Sequence, residues 1–402
     1  MPKWDTFNQF LKEAQSAPSD EARQHLVDDL LRERANFPWI EGTQATFVYS
    51  GMGVERVALN CDAIQSNPPL APFTRLEGTT LWYLQYRFKE DDLLDYLLAV
   101  NDPMTPFKGE SDVLMRMTRY WRVDPRNPLR LTTAQTDVSV LQMPKARPVP
   151  DWSSFRGVPR GRIYEHDFSS VQMNFQDRKL WVYVPPNYQP AENRFYPLLV
   201  LFDGQWMVGS FQVPYIADAL IKHGRMEPVI IAMLQSGTQS QRVNDFVSND
   251  RHYGAILTEL LPFLQDTYRV DATNLGVGGV DVGAIAAAHC ALKNPAVFSH
   301  LVMISPPLGK GQAQEKLVEY AQRFEQARLL PRRIFQSVGR YEEQTRYYKP
   351  ALALGLILQR REVQRGDIDH EFIELGSGHS MVSFKGALPE ALAHVFPSNV
   401  DV

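Results

Sequence analysis

The run Asn274-Leu275-Gly276-Val277-Gly278-Gly279-Val280-Asp281-Val282-Gly283-Ala284-Ile285-Ala286-Ala287-Ala288-His289-Cys290 decides how the chain is read. A short apolar stretch, a glycine-dense turn and an alanine-rich segment of high helix propensity spell strand, sharp turn, helix. Inside it, Gly279-Val280-Asp281-Val282-Gly283 has the spacing in which small flanking residues let one side chain stand on a cramped corner above a sheet. The usual corner residue of that motif is serine. Here it is Asp281.

Working outward, the surrounding half of the chain alternates apolar runs with helical patterns. Leu180–Pro186, Tyr196–Gly204, Pro228–Leu234, Leu275–Gly279, His300–Ser305 and Arg333–Gly339 read as strands, most of them continuous apolar runs of the kind covered on both faces. Between them, helices are expected over Gln212–His223, Tyr253–Tyr268, Ala284–Leu292, Gln312–Gln326 and Tyr347–Arg360. Such alternation implies a doubly wound, mostly parallel sheet with its ligand site at the carboxyl ends of the strands. With the corner motif, it predicts an α/β-hydrolase fold over residues 162–402.

Upstream the rhythm changes. Residues 144–161 are proline-rich and aperiodic, a semi-rigid linker. Before them, over 37–143, short runs at Ala45–Tyr49, Arg56–Asn60, Leu81–Phe88, Leu94–Val100 and Val138–Leu141 are separated by turn residues, as in an immunoglobulin-like all-β sandwich. Residues 1–36 carry two helical patterns, Trp4–Ala14 and Asp20–Ala35, with Ser19 and Asp20 as caps for the second.

At 402 residues the chain exceeds the size of one ordinary core, in keeping with two domains. A 44% hydrophobic and 22% charged composition is that of a soluble globular protein, and a net charge of −4 without a basic stripe gives nucleic acid or an anionic membrane no electrostatic purchase. The N-terminus lacks the pattern of a secretory signal and no window approaches 18 uninterrupted apolar residues, so a cytoplasmic location is expected. Cys61 and Cys290 are too few for a disulfide framework, and Cys290 reads as a buried, inert thiol. No cofactor or metal is expected: there is no metal-ligand spacing and no P-loop lysine. The Gly276, Gly278, Gly279 cluster also lacks the downstream acid of a dinucleotide site. The partner is a small molecule; length and composition leave the oligomeric state open.

Three features fall at strand ends in the chain order nucleophile, acid, histidine: Asp281, then Glu342 or its neighbour Glu343, then His379 in Gly376-Ser377-Gly378-His379-Ser380-Met381. A carboxylate-held imidazole facing the corner residue is the general-base arrangement of acyl transfer. His289, His300 and His370 lack that context and read as structural or surface residues. Ser305 and Ser380 are alternative hydroxyls, but neither is expected at a strained corner.

Residue by residue, the chain resembles the enterochelin (ferric enterobactin) esterase family of esterase-D-like α/β-hydrolases, including its N-terminal sandwich. The matching stretches are Arg75–Tyr83, Val100–Pro103, Val123–Pro128, Leu201–Trp206, Arg242–Phe246, Glu259–Pro262, the corner motif, Asn294–Phe298 and Gly378-His379. The resemblance implies an oxyanion hole from the backbone amides of Gln205, Trp206 and Val282. It also implies His379 as base, Glu342 as acid with Glu343 competing, and a loop ordered by Arg242 and Asp245. The family's serine has no counterpart. A carboxylate attacks an ester poorly and its charge opposes a developing alkoxide, so serine-esterase turnover is expected to be absent or very low.

Asp281 then has three readings. It attacks a saturated carbon, as in epoxide or haloalkane hydrolysis; it acts as base or orients a water for a different hydrolysis or an elimination on a polyphenolic or cyclic-ester substrate; or it is a helix cap in a catalytically inactive pseudo-esterase that binds a ligand or partner. An iron-chelated catecholate would bring negative charge beside this carboxylate, which favours a less charged substrate.

Overall fold

Apolar runs flanked by turn residues become the strands of a computed structural model, which describes residues 3–398 apart from 109, 111, 134, 135, 192 and 310–313. The chain divides into two units: Met1–Pro148 with Gly376–Val382, and Val149–Leu375 with Ser383–Val402. The division falls inside the proline-rich stretch.

In the first unit, two antiparallel sheets are formed. One runs in the order Trp39–Glu41, Gln44–Ser50, Leu81–Arg87, Thr74–Arg75. The other runs Leu70–Pro72, Val57–Cys61, Leu93–Val100, Asp137–Gln142, Arg130–Thr132, with Trp121–Arg122 also paired to Leu93–Val100. Phe47 of the first sheet packs edge-on to Tyr96 of the second with ring centroids 5.1 Å apart. The helices Phe7–Gln15 and Asp20–Glu33 are capped by Thr6 and Ser19. Their Phe7, Phe10, Val27 and Leu30 share one core with Val48 and Leu81, so the helices are packed onto the sandwich. A further helix, Val113–Tyr120, lies where the sequence reading placed only strands. Its Asp112 cap and the buried Arg116–Asp102 pair hold an amphipathic segment too short to show a clear period.

The second unit is an eight-stranded sheet in the order Arg162–Ser170, Phe175–Val184, Ile230–Leu234, Tyr196–Phe202, Val270–Val280, Phe298–Ile304, Arg333–Gly339, Asp369–Leu375. The first three are antiparallel neighbours and the rest are parallel. The inner strands are buried on both faces, as the continuous apolar runs required. This is the α/β-hydrolase architecture preceded by an all-β unit. The helix expected over Tyr253–Tyr268 is three consecutive pieces between Asp250 and Thr267, with a π-helical turn at Ile256–Leu260. The helix expected from Gln312 runs Gln314–Gln326, residues 312 and 313 lying outside the described residues. Among the described residues, no helix is long and apolar enough to cross a membrane.

Candidate active site

The corner is built by close backbone approach. A Cβ on Gly279 would stand 2.3 Å from the carbonyl carbon of Gly283, and one on Gly283 would stand 2.8 Å from Asp203 Oδ2. Only glycine fits at either flank, which explains the spacing. Asp281 itself has φ 53° and ψ −125°, a conformation costly for a side-chain-bearing residue and found where surrounding structure enforces it. The Asp281 amide donates to the Ile304 carbonyl at 2.9 Å, tying the corner to the next strand.

The helix-cap reading of Asp281 is corrected here. Its side chain makes no capping hydrogen bond to the helix Val282–Lys293. Instead Oδ2 accepts from Arg242 Nη1 at 3.1 Å and Oδ1 accepts from the Tyr347 hydroxyl at 3.1 Å. The positive φ swings the carboxylate away from the first-turn amides toward these two donors.

Arg242 is the hub. It projects from the helix Gln239–Phe246, whose start is fixed by a capping box of Thr238 and Gln241. Its Nε and Nη2 donate to Asp203 Oδ1 and Oδ2 at 2.7 and 2.8 Å, and Nη2 also reaches the Val280 carbonyl at 3.2 Å. The guanidinium lies 5.0 Å from the Trp206 ring centroid. Burial opposes its charge, but the Asp203 and Asp281 carboxylates outweigh that and hold Arg242 above its ordinary range. Asp203, fully buried in a left-handed conformation, ends the strand Tyr196–Phe202. Asp245 points elsewhere, to Arg178 at 2.9 Å.

The two acids after Arg333–Gly339 are used differently. Glu343 caps the π-helical turn Gln344–Tyr348, accepting from the amides of Thr345 and Arg346 at 3.0 and 2.7 Å. Glu342 is buried, its Oε1 accepting from Ser305 Oγ at 2.6 Å and the Gly339 amide at 2.7 Å. Ser305 corrects a second expectation: it does occupy a strained position, with φ 50°. Its hydroxyl is nevertheless buried and donated to Glu342.

Tyr347 was not found by sequence reading. Burial first, and the Asp281 charge second, push its hydroxyl up, so it stays a proton donor toward Oδ1. No sequence signal marked it: it is the fourth residue of the π-helical turn Gln344–Tyr348, a feature that concentrates at functional sites but is visible only in the structure.

Of the amides assigned to an oxyanion hole, that of Trp206 donates to the Asp203 carbonyl at 2.9 Å and is committed to its own turn. Gln205 and Val282 are the second and first residues of their helices, among the positions whose amides find no acceptor within the helix. The Gln205 side chain is fixed by Ser236, donating to its hydroxyl at 2.8 Å and accepting from its amide at 3.2 Å.

His379 lies in the segment Gly376–Val382, which groups with the first unit. There the His379 amide donates to Asp62 Oδ2 at 2.8 Å and the Gly376 carbonyl accepts from the Leu93 amide at 2.8 Å. Both cysteines are buried, and burial pushes the Cys290 thiol up to about 12. Among the described residues, no group of three or more His, Cys, Asp or Glu is placed to hold a metal ion.

With the corner, the order of strand-end residues and the eight-stranded sheet in place, the family model described as "Putative esterase" matches residues 170–395, more than half of the chain. The chain belongs to this esterase family. The model described as "Enterochelin esterase, N-terminal" matches residues 45–152 of the same esterase-family chain, most of its β-rich unit and the four residues that follow Pro148. Among solved structures, the ferric enterobactin esterase from Salmonella typhimurium superposes with a TM-score of 0.73 at 16% identity, covering 92% of this chain and 98% of that one. The enterobactin esterase from Shigella flexneri, crystallised in the presence of enterobactin, gives 0.69 at 18% identity, covering 88% and 92%. At these identities the likeness is one of fold.

Proposed function

We propose that this esterase-family chain is a hydrolase of a small organic or siderophore-like ester or lactone, with Asp281, Glu342 and His379 as its working residues. One observation carries the reading: the strained corner is kept, and its carboxylate is held by two donors instead of serving the helix. Strain of this kind persists where it is part of a mechanism. The ligands crystallised with the solved relatives, enterobactin and 2,3-di-hydroxy-N-benzoyl-serine, support the siderophore class.

With Oδ2 on Arg242 and Oδ1 on Tyr347, Asp281 is a weak nucleophile and a well-fixed acceptor. In the mechanism this favours, a water donates one proton to an Asp281 lone pair for orientation and gives the other to His379 as its oxygen attacks the acyl carbon. His379 then protonates the leaving alkoxide as the carbon–oxygen bond breaks, and Glu342 orients the base. The Gln205 and Val282 amides face the developing charge. Attack by Asp281 on an epoxide carbon is the nucleophilic variant. Because one guanidinium is shared by two carboxylates, substrates of modest negative charge are favoured.

The test compares native chain, Asp281→Asn and Asp281→Ser on p-nitrophenyl esters, a trilactone and an epoxide, with single turnovers in ¹⁸O-water. Turnover lost in Asp281→Asn with label entering only the product supports the water mechanism, whereas label in Asp281 identifies the nucleophilic variant. Equal turnover by native chain and Asp281→Asn would refute both. A second reading, a ligand-binding pseudo-esterase, is favoured by the fact that both Asp281 oxygens already hold donors. It predicts no turnover on any substrate together with retained binding of the trilactone.

A further inference from the structure

The helix that begins after Asp281 carries a second cluster near its other end. His289 lies eight residues on, roughly 12 Å along the axis at 1.5 Å per residue. There a cavity of about 480 Å³ is lined by Ser248, Asp250, His289, Lys293 and Arg323, among others. Four of the side chains at this place form one hydrogen-bonded line. Ser248 Oγ lies 3.0 Å from the Tyr320 hydroxyl, which lies 3.1 Å from His289 Nδ1, and His289 Nε2 lies 2.8 Å from Asp250 Oδ1. Lys293 Nζ holds the same carboxylate at 2.9 Å.

Proton positions along the line follow from what each group can do. Asp250 is held below the usual carboxylate range, first by Lys293 and then by His289, so it only accepts. His289 Nε2 must therefore carry the proton. Burial keeps the ring neutral, which leaves Nδ1 as the acceptor for the Tyr320 hydroxyl. Tyr320 is fully buried and, having donated to His289, accepts from Ser248. Ser248 thus points its proton into the relay and its remaining lone pairs elsewhere. It also sits at φ 50°, a left-handed corner rarely taken by serine, between the helices Gln239–Phe246 and Asp250–Ala255.

We propose that Ser248 is the nucleophile of a second acyl-ester site, separate from the Asp281 corner, with Tyr320, His289 and Asp250 as its positioning relay. Ser248 Oγ attacks the acyl carbon. Its proton passes to Tyr320 as the Tyr320 proton passes to His289 Nδ1, and Asp250 stabilises the imidazolium. The proton returns along the same line to the alcohol oxygen as the carbon–oxygen bond breaks, leaving acyl-Ser248. Water, deprotonated by the same relay, then releases the carboxylic acid. Lys293 and Arg323 at the cavity wall stabilise the negative charge that develops on the acyl oxygen.

The test uses the full chain and a fluorophosphonate probe, in which the Ser248 oxygen forms the bond to phosphorus, the phosphorus–fluorine bond breaks and fluoride leaves. Peptide mapping is expected to place one phosphonyl group on Ser248 and none in Ser248→Ala. Tyr320→Phe and His289→Gln should slow labelling about a hundredfold, the scale of a lost general base, with Tyr320→Phe still folded at the assay temperature by thermal shift. Asp281→Asn should label at the native rate, which separates this site from the corner. No phosphonyl group on Ser248, or native-rate labelling of Tyr320→Phe, overturns the proposal. Tyr320→Phe removes one oxygen without changing the packed ring, so that arm stands even where His289→Gln fails to fold.

Discussion

Replacing Arg242 by methionine should be among the most damaging single changes in the second unit. The side chain is 2% exposed and makes four hydrogen bonds, two of them to Asp203, which is fully buried. Removing it leaves Asp203 as a carboxylate without its cation, and breaking a buried pair from one side costs about 3–5 kcal/mol. The remedy is to remove the other charge as well. Asn tolerates the left-handed backbone at position 203, so Asp203→Asn combined with Arg242→Met should recover about 2 kcal/mol of the loss, the scale of coupling between residues in contact. Urea unfolding followed by tryptophan fluorescence reads the cycle, because Trp206 lies against the guanidinium. A cost below about 1 kcal/mol for Arg242→Met, or strict additivity in the double variant, would refute the claim that this pair is a mutually dependent buried unit.

Other consequences follow from single residues. Gly279→Ala places a Cβ 2.3 Å from the Gly283 carbonyl carbon, backbone that cannot swing aside, so a loss of about 3 kcal/mol or insolubility on expression is expected and measured by thermal shift. Glu342→Gln keeps an oxygen for Ser305 and the Gly339 amide, so stability should change by less than about 1 kcal/mol while hydrolysis falls about a hundredfold. Wild-type stability at Glu342→Gln with undiminished turnover would remove Glu342 from the mechanism. Burial lowers His252 and His300 to about 3. From pH 6.5 down to 3 the unfolded chain binds protons that the fold refuses. Stability therefore falls with acidification across that window at about 1.4 kcal/mol per pH unit for each histidine, and levels off below it. His252→Gln should reduce that slope by one histidine's share in a pH series of urea titrations.

The corner was legible because everything that makes it is local: glycines at fixed offsets, an apolar strand before them and an alanine-rich helix after. What surrounds it was less so. Arg242 could be picked out by family pattern, but its grip on Asp203 and Asp281 depends on three segments meeting, and Tyr347 lies 66 residues from the carboxylate it holds. The cap reading of Asp281 failed because sequence gives the position before a helix without giving the φ that turns the side chain away. The strand Arg162–Ser170 was missed since it is an edge strand with Glu165 and Asp167 paired to Lys179, lacking the apolar run of its neighbours. The final helix Met381–Val395 was hidden by Pro389, which ordinarily signals a break.

The segment carrying His379 is anchored by Asp62 and Leu93, residues of the β-rich unit some 280 or more positions upstream. A shortened gene product starting at Val149 would retain the corner, the buried arginine and both acids, yet its imidazole would hang from a tether stripped of both backbone anchors. On the mechanism proposed above, the amino-terminal sandwich is thus no detachable accessory: a chain that relies on this imidazole also needs an acceptor at position 62 to steady it.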